Sequence, residues 1–389
     1  MIRILIADDS AFMRKVLSDL FRKQPDFEVI GTARNGQEAI KLVKQEKPDL
    51  LTLDVNMPVM DGLNALAVIM EESPMPVVML SSLTQEGTEA TVRALSLGAV
   101  DFISKAGGSI SRIDTIEPEI LQKCRNAVKT HVQKPKKQES PPKPALPVMR
   151  RVAFPGLKRE PPRQESPSPA KPALARTPNP LLQRRKPEFQ PKPLVIERGS
   201  GQKLVAIGTS TGGPQALQSV ITRLPADLPC GVVVVQHMPP HFTKALADRL
   251  NTISAIAVKE AEDGEVIRPG QVYIAPGGFH LRVRPDGTDR RIALGTDPPV
   301  GNHRPCVNVM FDSVAPFGQK VTAVIMTGMG SDGCEGMKKI KAAGGYSIAQ
   351  DEDSCVVYGM PRAVVEAGLA DEVKPVEQIA SAIVSAVKR

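Results

Sequence analysis

From Lys134 to Lys192 the chain cannot build a hydrophobic core, and that stretch divides everything around it. It holds 15 Lys/Arg against 4 Glu, and 16 of the 36 prolines lie between Pro135 and Pro193, in runs such as ESPPKPALP and PSPAKPALARTPNP. With almost no aromatic residue, such a composition cannot bury enough apolar surface to offset the entropy of ordering. A disordered, PPII-leaning, semi-rigid linker over 123–198 is the expectation, with a basic docking segment for an acidic partner as the alternative. The 389 residues then fall into two domains, 1–122 and 199–389, each long enough for its own core.

The same stretch explains the charge. Its balance of +11, set against +8 for the whole chain, leaves −3 for the rest, so the basicity does not belong to the folded parts. No helix-turn-helix pattern follows the linker, and a nucleic-acid partner is not expected. The five cysteines (124, 230, 306, 334, 355) form no CxxC pair, which indicates neither a zinc site nor a disulfide framework and fits a reducing cytoplasm. The apolar run in MIRILIADDS is too short for a signal h-region, and no later run is long enough to span a bilayer, so neither export nor membrane insertion is expected.

In the first domain, strand-like runs (IRILIAD, EVIGTA, LLTLDV, PVVMLSS, VDFISK) alternate with helical patterns such as AFMRKVLSDLFRK and NGQEAIKLVKQ. This is the pattern of βαβ units, and the expected fold is α/β with a five-stranded doubly wound parallel sheet. Ligands gather at the carboxyl ends of such strands. Asp8 and Asp9 end the first run, Asp54 the third, Ser81 the fourth and Lys105 the fifth. Carboxylates converging there repel one another unless a hard cation sits among them, and Mg²⁺ held by Asp8, Asp9, Asp54 and the Asn56 carbonyl is the expected solution. Asp54 can then act as a carboxylate nucleophile toward a phosphoryl group, with Lys105 balancing the charge. A single strand-end Asp is more simply a helix cap, as Asp9-Ser10 before AFMRKVL could be; the whole set is not.

The second domain opens on KLVAIGTSTGGPQAL, a strand, a small-residue loop and a helix start. A P-loop needs lysine where Pro214 stands, and a dinucleotide fingerprint lacks its second glycine. There remains G-x-S-x-G around Ser210, whose flanking glycines permit a turn exposing a hydroxyl, although Ser210 or Thr211 could equally be helix N-caps. A nucleophilic serine needs a base and an orienter. His237 ends the strand GVVVVQ and is the best base; His280 and His303 sit in Gly- or Pro-flanked loops, and HMPPH lacks the glutamate of a zinc protease. Asp332 follows VTAVIM in a second small-residue loop, where it is either the orienter or an N-cap. The order Ser210, His237, Asp332 differs from that of α/β-hydrolases.

ILIADDS, LLTLDVNMPVMDG, VVMLSS and DFISK resemble a response-regulator receiver domain. That resemblance implies Mg²⁺-dependent phosphorylation of Asp54 by a histidine kinase, Ser81 sensing the phosphoryl group, and Phe102 at the aromatic switch position. GTSTGGP, VVVVQHMPPHFT and IMTGMGSDG, following a receiver and a linker, resemble the chemotaxis protein-glutamate methylesterase family. Its members are cytoplasmic serine hydrolases acting on glutamate methyl esters of chemoreceptors, and often on receptor glutamines, with a doubly wound, mainly parallel α/β catalytic domain. The resemblance implies Ser210 as nucleophile, His237 as base, Asp332 as orienter, the backbone around Met329 as an oxyanion-hole candidate, and no cofactor in this half. It also implies an unphosphorylated receiver that covers the esterase cleft, an effect expected to be weak here because the linker is about 75 residues long. A catalytically idle receptor-binding regulator is the alternative. Departures from the family patterns fall at Ala106, where proline is usual, and at Cys306 and Asn308 in RPCVN.

Overall fold

The computed structural model describes residues 1–82, 84–105, 113–130 and 203–389; of the linker expected over 123–198, residues 131–198 lie outside the described residues, as does Ala106, whereas 123–128 form the end of a helix whose Cys124 and Ala127 are buried. In the N-terminal half β1 (Ile2–Ala7), β2 (Phe27–Ala33), β3 (Leu50–Asp54), β4 (Val77–Ser82) and β5 (Asp101–Lys105) alternate with α1 (Ala11–Arg22), α2 (Gly36–Glu46), α3 (Gly62–Glu72), α4 (Gln85–Leu97) and α5 (Ile113–Val128). All the strand pairs are parallel, in the order β2-β1-β3-β4-β5. The strand order reverses between β1 and β3, which opens a crevice where Asp8 and Asp54 lie. Local chemistry sets the helix starts: the side chains of Ser10, Asn35, Asp61 and Thr84 each accept a backbone N–H from the first turn of α1 to α4.

The C-terminal half runs β6 (Leu204–Thr209), α6 (Gly213–Ile221), β7 (Gly231–Gln236), α7 (Phe242–Ile253), β8 (Ala257–Glu260), β9 (Gln271–Ile274), β10 (His280–Asp286) and β11 (Asp289–Gly295). It continues through α8 (Val307–Val314), β12 (Val321–Ile325), α9 (Cys334–Ala342), β13 (Tyr346–Gln350), α10 (Met360–Glu366), β14 (Glu372–Lys374) and α11 (Val376–Lys388). Seven strands form one parallel sheet ordered β14-β13-β12-β6-β7-β9-β8, and β10 and β11 form a separate antiparallel hairpin. His280 therefore begins a strand, where a loop was expected.

Strands β6, β7 and β12 are buried along their whole length, because helices cover both faces of the sheet. Helices α6, α7 and α11 pack on one face and α8, α9 and α10 on the other. The first of these cores runs on into the N-terminal half, where α4 packs against α6 and α7. Phe102 of β5 stacks on Phe242 of α7 with ring centroids 4.4 Å apart, both rings buried; such a pair contributes about 0.5–1.5 kcal/mol beyond its area. No helix among the described residues is long and apolar enough to cross a membrane.

Candidate active site

Strand order decides which loops meet. Because β12, β6 and β7 are neighbours, the residues after them share one edge of the sheet, at the point where the order reverses. His237 Nδ1 lies 3.1 Å from Ser210 Oγ, and His237 Nε2 lies 2.8 Å from Asp332 Oδ2. Serine is thus on Nδ1 and carboxylate on Nε2, which requires the tautomer with hydrogen on Nε2 and a lone pair on Nδ1 facing the hydroxyl.

The Ser210 loop is clamped by a residue whose letter gives no hint of it. Gln236, buried at the end of β7, donates from Nε2 to the carbonyls of Ser210 (2.9 Å) and His237 (3.2 Å), and its Oε1 accepts from Thr209 Oγ1 (2.7 Å). The glycine pair follows from this clamp. A Cβ on Gly213 would sit 1.9 Å from Gln236 Oε1, and Gly212 has φ +76° and is itself the N-cap of α6. Neither Ser210 nor Thr211 is the N-cap, and Pro214 occupies the first turn, where no N–H is needed.

Asp332 does not cap its own helix either; Gly333 stands at the start of α9. The Asp332 carboxylate reaches α8, where Oδ2 accepts Val307 N–H (2.7 Å) and Oδ1 accepts Asn308 N–H (2.9 Å) and the Cys306 thiol (3.2 Å). Burial pushes this carboxyl up, but the hydrogen bond and charge of His237 and the two backbone N–H groups outweigh it and leave it at about 2. Burial and the neighbouring Asp332 push the Cys306 thiol up to about 12, so it stays protonated and can donate. Both departures in RPCVN thus keep contact with the site: Cys306 through its thiol, and Asn308 through its N–H and through Oδ1, which accepts Gly336 N–H (2.8 Å). The Met329 loop packs against Ser210: Ser210 N–H donates to the Thr327 carbonyl, while the Thr327 and Gly328 amides donate to Gln350 Oε1 and the Val357 carbonyl.

In the N-terminal half, oxygens of Asp8, Asp9 and Asp54 lie within 4.8 Å of one another. Lys105 Nζ lies 2.8 Å from Asp8 and 2.9 Å from Asp54. Burial pushes the Asp54 carboxyl up to about 6, Asp8 and Asp9 adding to the rise and Lys105 opposing it. Buried Asp8 Oδ2 has this ion pair but no hydrogen bond, so the cluster has acceptor capacity to spare and suits a hard divalent cation. Asn56 is exposed in the loop after β3. Ser81 turns toward α4: its Oγ donates to the Gly87 carbonyl (3.0 Å) and accepts from Thr91 Oγ1 (2.6 Å).

The two halves meet beside the Ser210 loop. Thr211 Oγ1 donates to Asp101 Oδ2 at 2.9 Å, Asn126 contacts the Met329 sulfur through its side-chain amide, and Arg249 donates to Ser96 Oγ at 2.9 Å.

A phosphoacceptor-type carboxylate cluster, carried in one chain with a Ser–His–Asp hydrogen-bonded line, defines a class: a response regulator whose output half is built as a hydrolase. Residues 4–115 match the response regulator receiver domain model, and 205–383 match the CheB methylesterase model. A protein-glutamate methylesterase/protein-glutamine glutaminase of Symbiobacterium thermophilum is 46% identical over 99% of this chain and 97% of its own. Proteins of the same name from Oleidesulfovibrio alaskensis and Bacillus subtilis are both 45% identical over 100% of this chain, and over 100% and 99% of their own. The chain belongs to the protein-glutamate methylesterase/protein-glutamine glutaminase family.

Proposed function

We propose that this chain is a phosphorylation-regulated serine esterase that removes methyl groups from glutamate esters on chemoreceptors, and ammonia from receptor glutamines. The observation that carries this reading is the unbroken hydrogen-bonded line from Ser210 through His237 to Asp332. As Ser210 Oγ attacks the ester carbonyl, its proton passes to His237 Nδ1, and the imidazolium that forms is held by Asp332. The carbonyl oxygen becomes an oxyanion, for which the Met329 backbone N–H and the first turn of α6 are the candidate donors; one such donor lowers the barrier by about 3–4 kcal/mol. The proton on Nδ1 leaves with methanol. Water then gives a proton to Nδ1 as its oxygen attacks the acyl carbon, that proton passes to Ser210 Oγ as the acyl–Oγ bond breaks, and the glutamate carboxylate is released. With glutamine as substrate the leaving group is ammonia.

The phosphoacceptor reading assigns Asp54 to the phosphoryl group, Asp8, Asp9, Asp54 and the Asn56 carbonyl to Mg²⁺, and a histidine kinase to the role of donor. Bound there, Mg²⁺ would neutralise charge on the phosphoryl oxygens. Lys105 can share in that neutralisation, since Asp54 and Asp8 outweigh the effect of burial and raise its pKa, so its charge is secure. A phosphoryl group on Asp54 offers Ser81 a new acceptor in place of the Gly87 carbonyl. Since Ser81 now holds the first turns of α4, and α4 packs on α6 and α7, that exchange bears on the contact between the halves. Only such a differential interaction can shift an equilibrium between closed and open arrangements. A cytoplasmic location follows from a kinase donor and receptor signalling helices as substrate.

Methanol release from methylated receptors tests the reading, and is expected to rise with Mg²⁺ and a small phosphodonor in the wild type. The rise is expected to vanish in Asp54→Asn; no methanol from the activated wild type would sink the enzyme reading. Deleting residues 1–198 is expected to raise the unphosphorylated rate by no more than about tenfold, because a long tether gives a low effective concentration for docking. A much larger gain would count against that weak closure.

A further inference from the structure

We propose that His303 is a positioning residue for the esterase: its ring lies face to face on His237 and holds that imidazole in the plane that aims Nδ1 at Ser210. The proposal rests on the reading of His237 as the general base. The two rings are 3.8 Å apart at their centroids and only 10° from parallel. The contacts of His237 with Ser210 and Asp332 run through its two ring nitrogens, and these two contacts do not themselves oppose tilt about the line joining them. A flat group on the ring face is what removes that freedom.

His303 is well placed to act as a fixed wall. Val300 and His303 exchange both backbone hydrogen bonds (3.1 Å each) across a tight turn whose central residues, Gly301 and Asn302, have φ +58° and +67°. The next residue is tied down twice, since Gly278 N–H donates to the Arg304 carbonyl at 3.0 Å and Arg304 Nη1 donates to the carbonyls of Thr296 (2.9 Å) and Asp297 (3.0 Å). Burial, helped by the neighbouring His237 and opposed by Asp332, pushes the His303 imidazole down to about 4. At neutral pH it therefore presents an uncharged π face, the kind of surface on which an imidazolium is stabilised.

The demand on this wall is greatest in the second half of the reaction. Once Ser210 Oγ is esterified it has no proton to share with Nδ1, and the base loses one of its two hydrogen-bonded side-chain partners while it keeps Asp332 and the face of His303. Water must then find Nδ1 in line: the water proton goes to Nδ1 as its oxygen bonds to the acyl carbon, and that proton passes to Ser210 Oγ as the C–Oγ bond breaks. Loss of the wall should slow this step more than the first, so that the covalent receptor–enzyme ester accumulates.

The full-length chain with methylated receptor tests this. His303→Ala and His303→Leu are expected to lower kcat by about tenfold or more with KM within about threefold, as small misplacements of a catalytic group do. Both are expected to accumulate receptor–enzyme adduct on acid-quenched denaturing gels. His303→Phe, which restores a flat π face, is expected to return kcat to within about threefold of the wild type and to abolish the adduct. The leucine variant fills the space, so misfolding of the alanine variant does not decide the matter. Leucine with near wild-type kcat, or phenylalanine as impaired as leucine, overturns the proposal. His237→Ala separates the two readings. If it retains activity, the base assignment fails and the proposal falls with it; if it is inactive while His303→Leu is unimpaired, only the proposal fails.

Discussion

Ser210→Ala is expected to abolish methanol release, with kcat lowered by about six orders of magnitude, as when the nucleophile of a serine hydrolase is removed. The small activity expected to remain, about 10³–10⁴ over water, comes from substrate binding and the oxyanion donors, which the substitution leaves in place. Structurally the change is small. The Ser210 backbone N–H donates to Thr327 and its carbonyl accepts from Gly213 and Gln236, and none of these contacts involves the hydroxyl. Among the described residues the hydroxyl hydrogen-bonds only with His237, so the loss of stability should stay near the ~1 kcal/mol of one neutral hydrogen bond. A serine-directed fluorophosphonate is expected to label the wild type at Ser210 and to leave the variant unlabelled. A variant retaining more than about a tenth of wild-type kcat would move the nucleophile elsewhere and dissolve the reading of the triad.

Most of the site was legible because a parallel sheet gathers its ligand groups at the carboxyl ends of strands. Ser210, His237, Asp8, Asp54 and Lys105 stand at or just past the end of a strand, and Asp332 in the short loop after one; reading strand ends was enough to collect them. What could not be read were contacts made across the fold by residues with no motif of their own. Gln236 looks like the last letter of a strand, yet its amide joins the ends of β6 and β7 and explains why glycine stands at 213. His303 looks like an ordinary loop histidine, because nothing in HRPC announces that a tight turn lays its ring on His237. The N-cap alternative for Asp332 had a kernel of truth: the carboxylate does accept first-turn N–H groups, but those of α8, some 25 residues back in the chain. Ser81 shows the opposite limit, since its strand-end position was readable while its partners in α4, the Gly87 carbonyl and Thr91 Oγ1, were not.

Asp332→Asn is expected to lower kcat at neutral pH by about 10⁴-fold while Ser210 stays intact, and the reason lies in the donors around the carboxylate. His237 Nε2–H, the N–H groups of Val307 and Asn308, and the Cys306 thiol all point at its two oxygens. An amide has one oxygen and one NH₂, so its NH₂ must face a group that itself donates. Each oxygen faces one backbone N–H, which cannot change role, so either orientation loses a hydrogen bond; with the NH₂ in the place of Oδ2 the imidazole shifts its hydrogen to Nδ1 and accepts at Nε2. Nδ1 then presents a hydrogen to Ser210 in place of a lone pair, and the serine proton has nowhere to go. Stability gives an independent check on the same charge. The folded-state pKa of Asp332, about 2, lies below the ordinary 3.8, so its contribution is fully present above about pH 4 and is lost as pH falls toward 2. Linkage puts that contribution at about 2 kcal/mol, an upper figure for a partly hydrated site. Urea unfolding at pH 7 and pH 3 should therefore show a smaller acid loss in Asp332→Asn than in the wild type. A variant that keeps wild-type kcat, or loses stability in acid as the wild type does, would show that another group orients and stabilises His237.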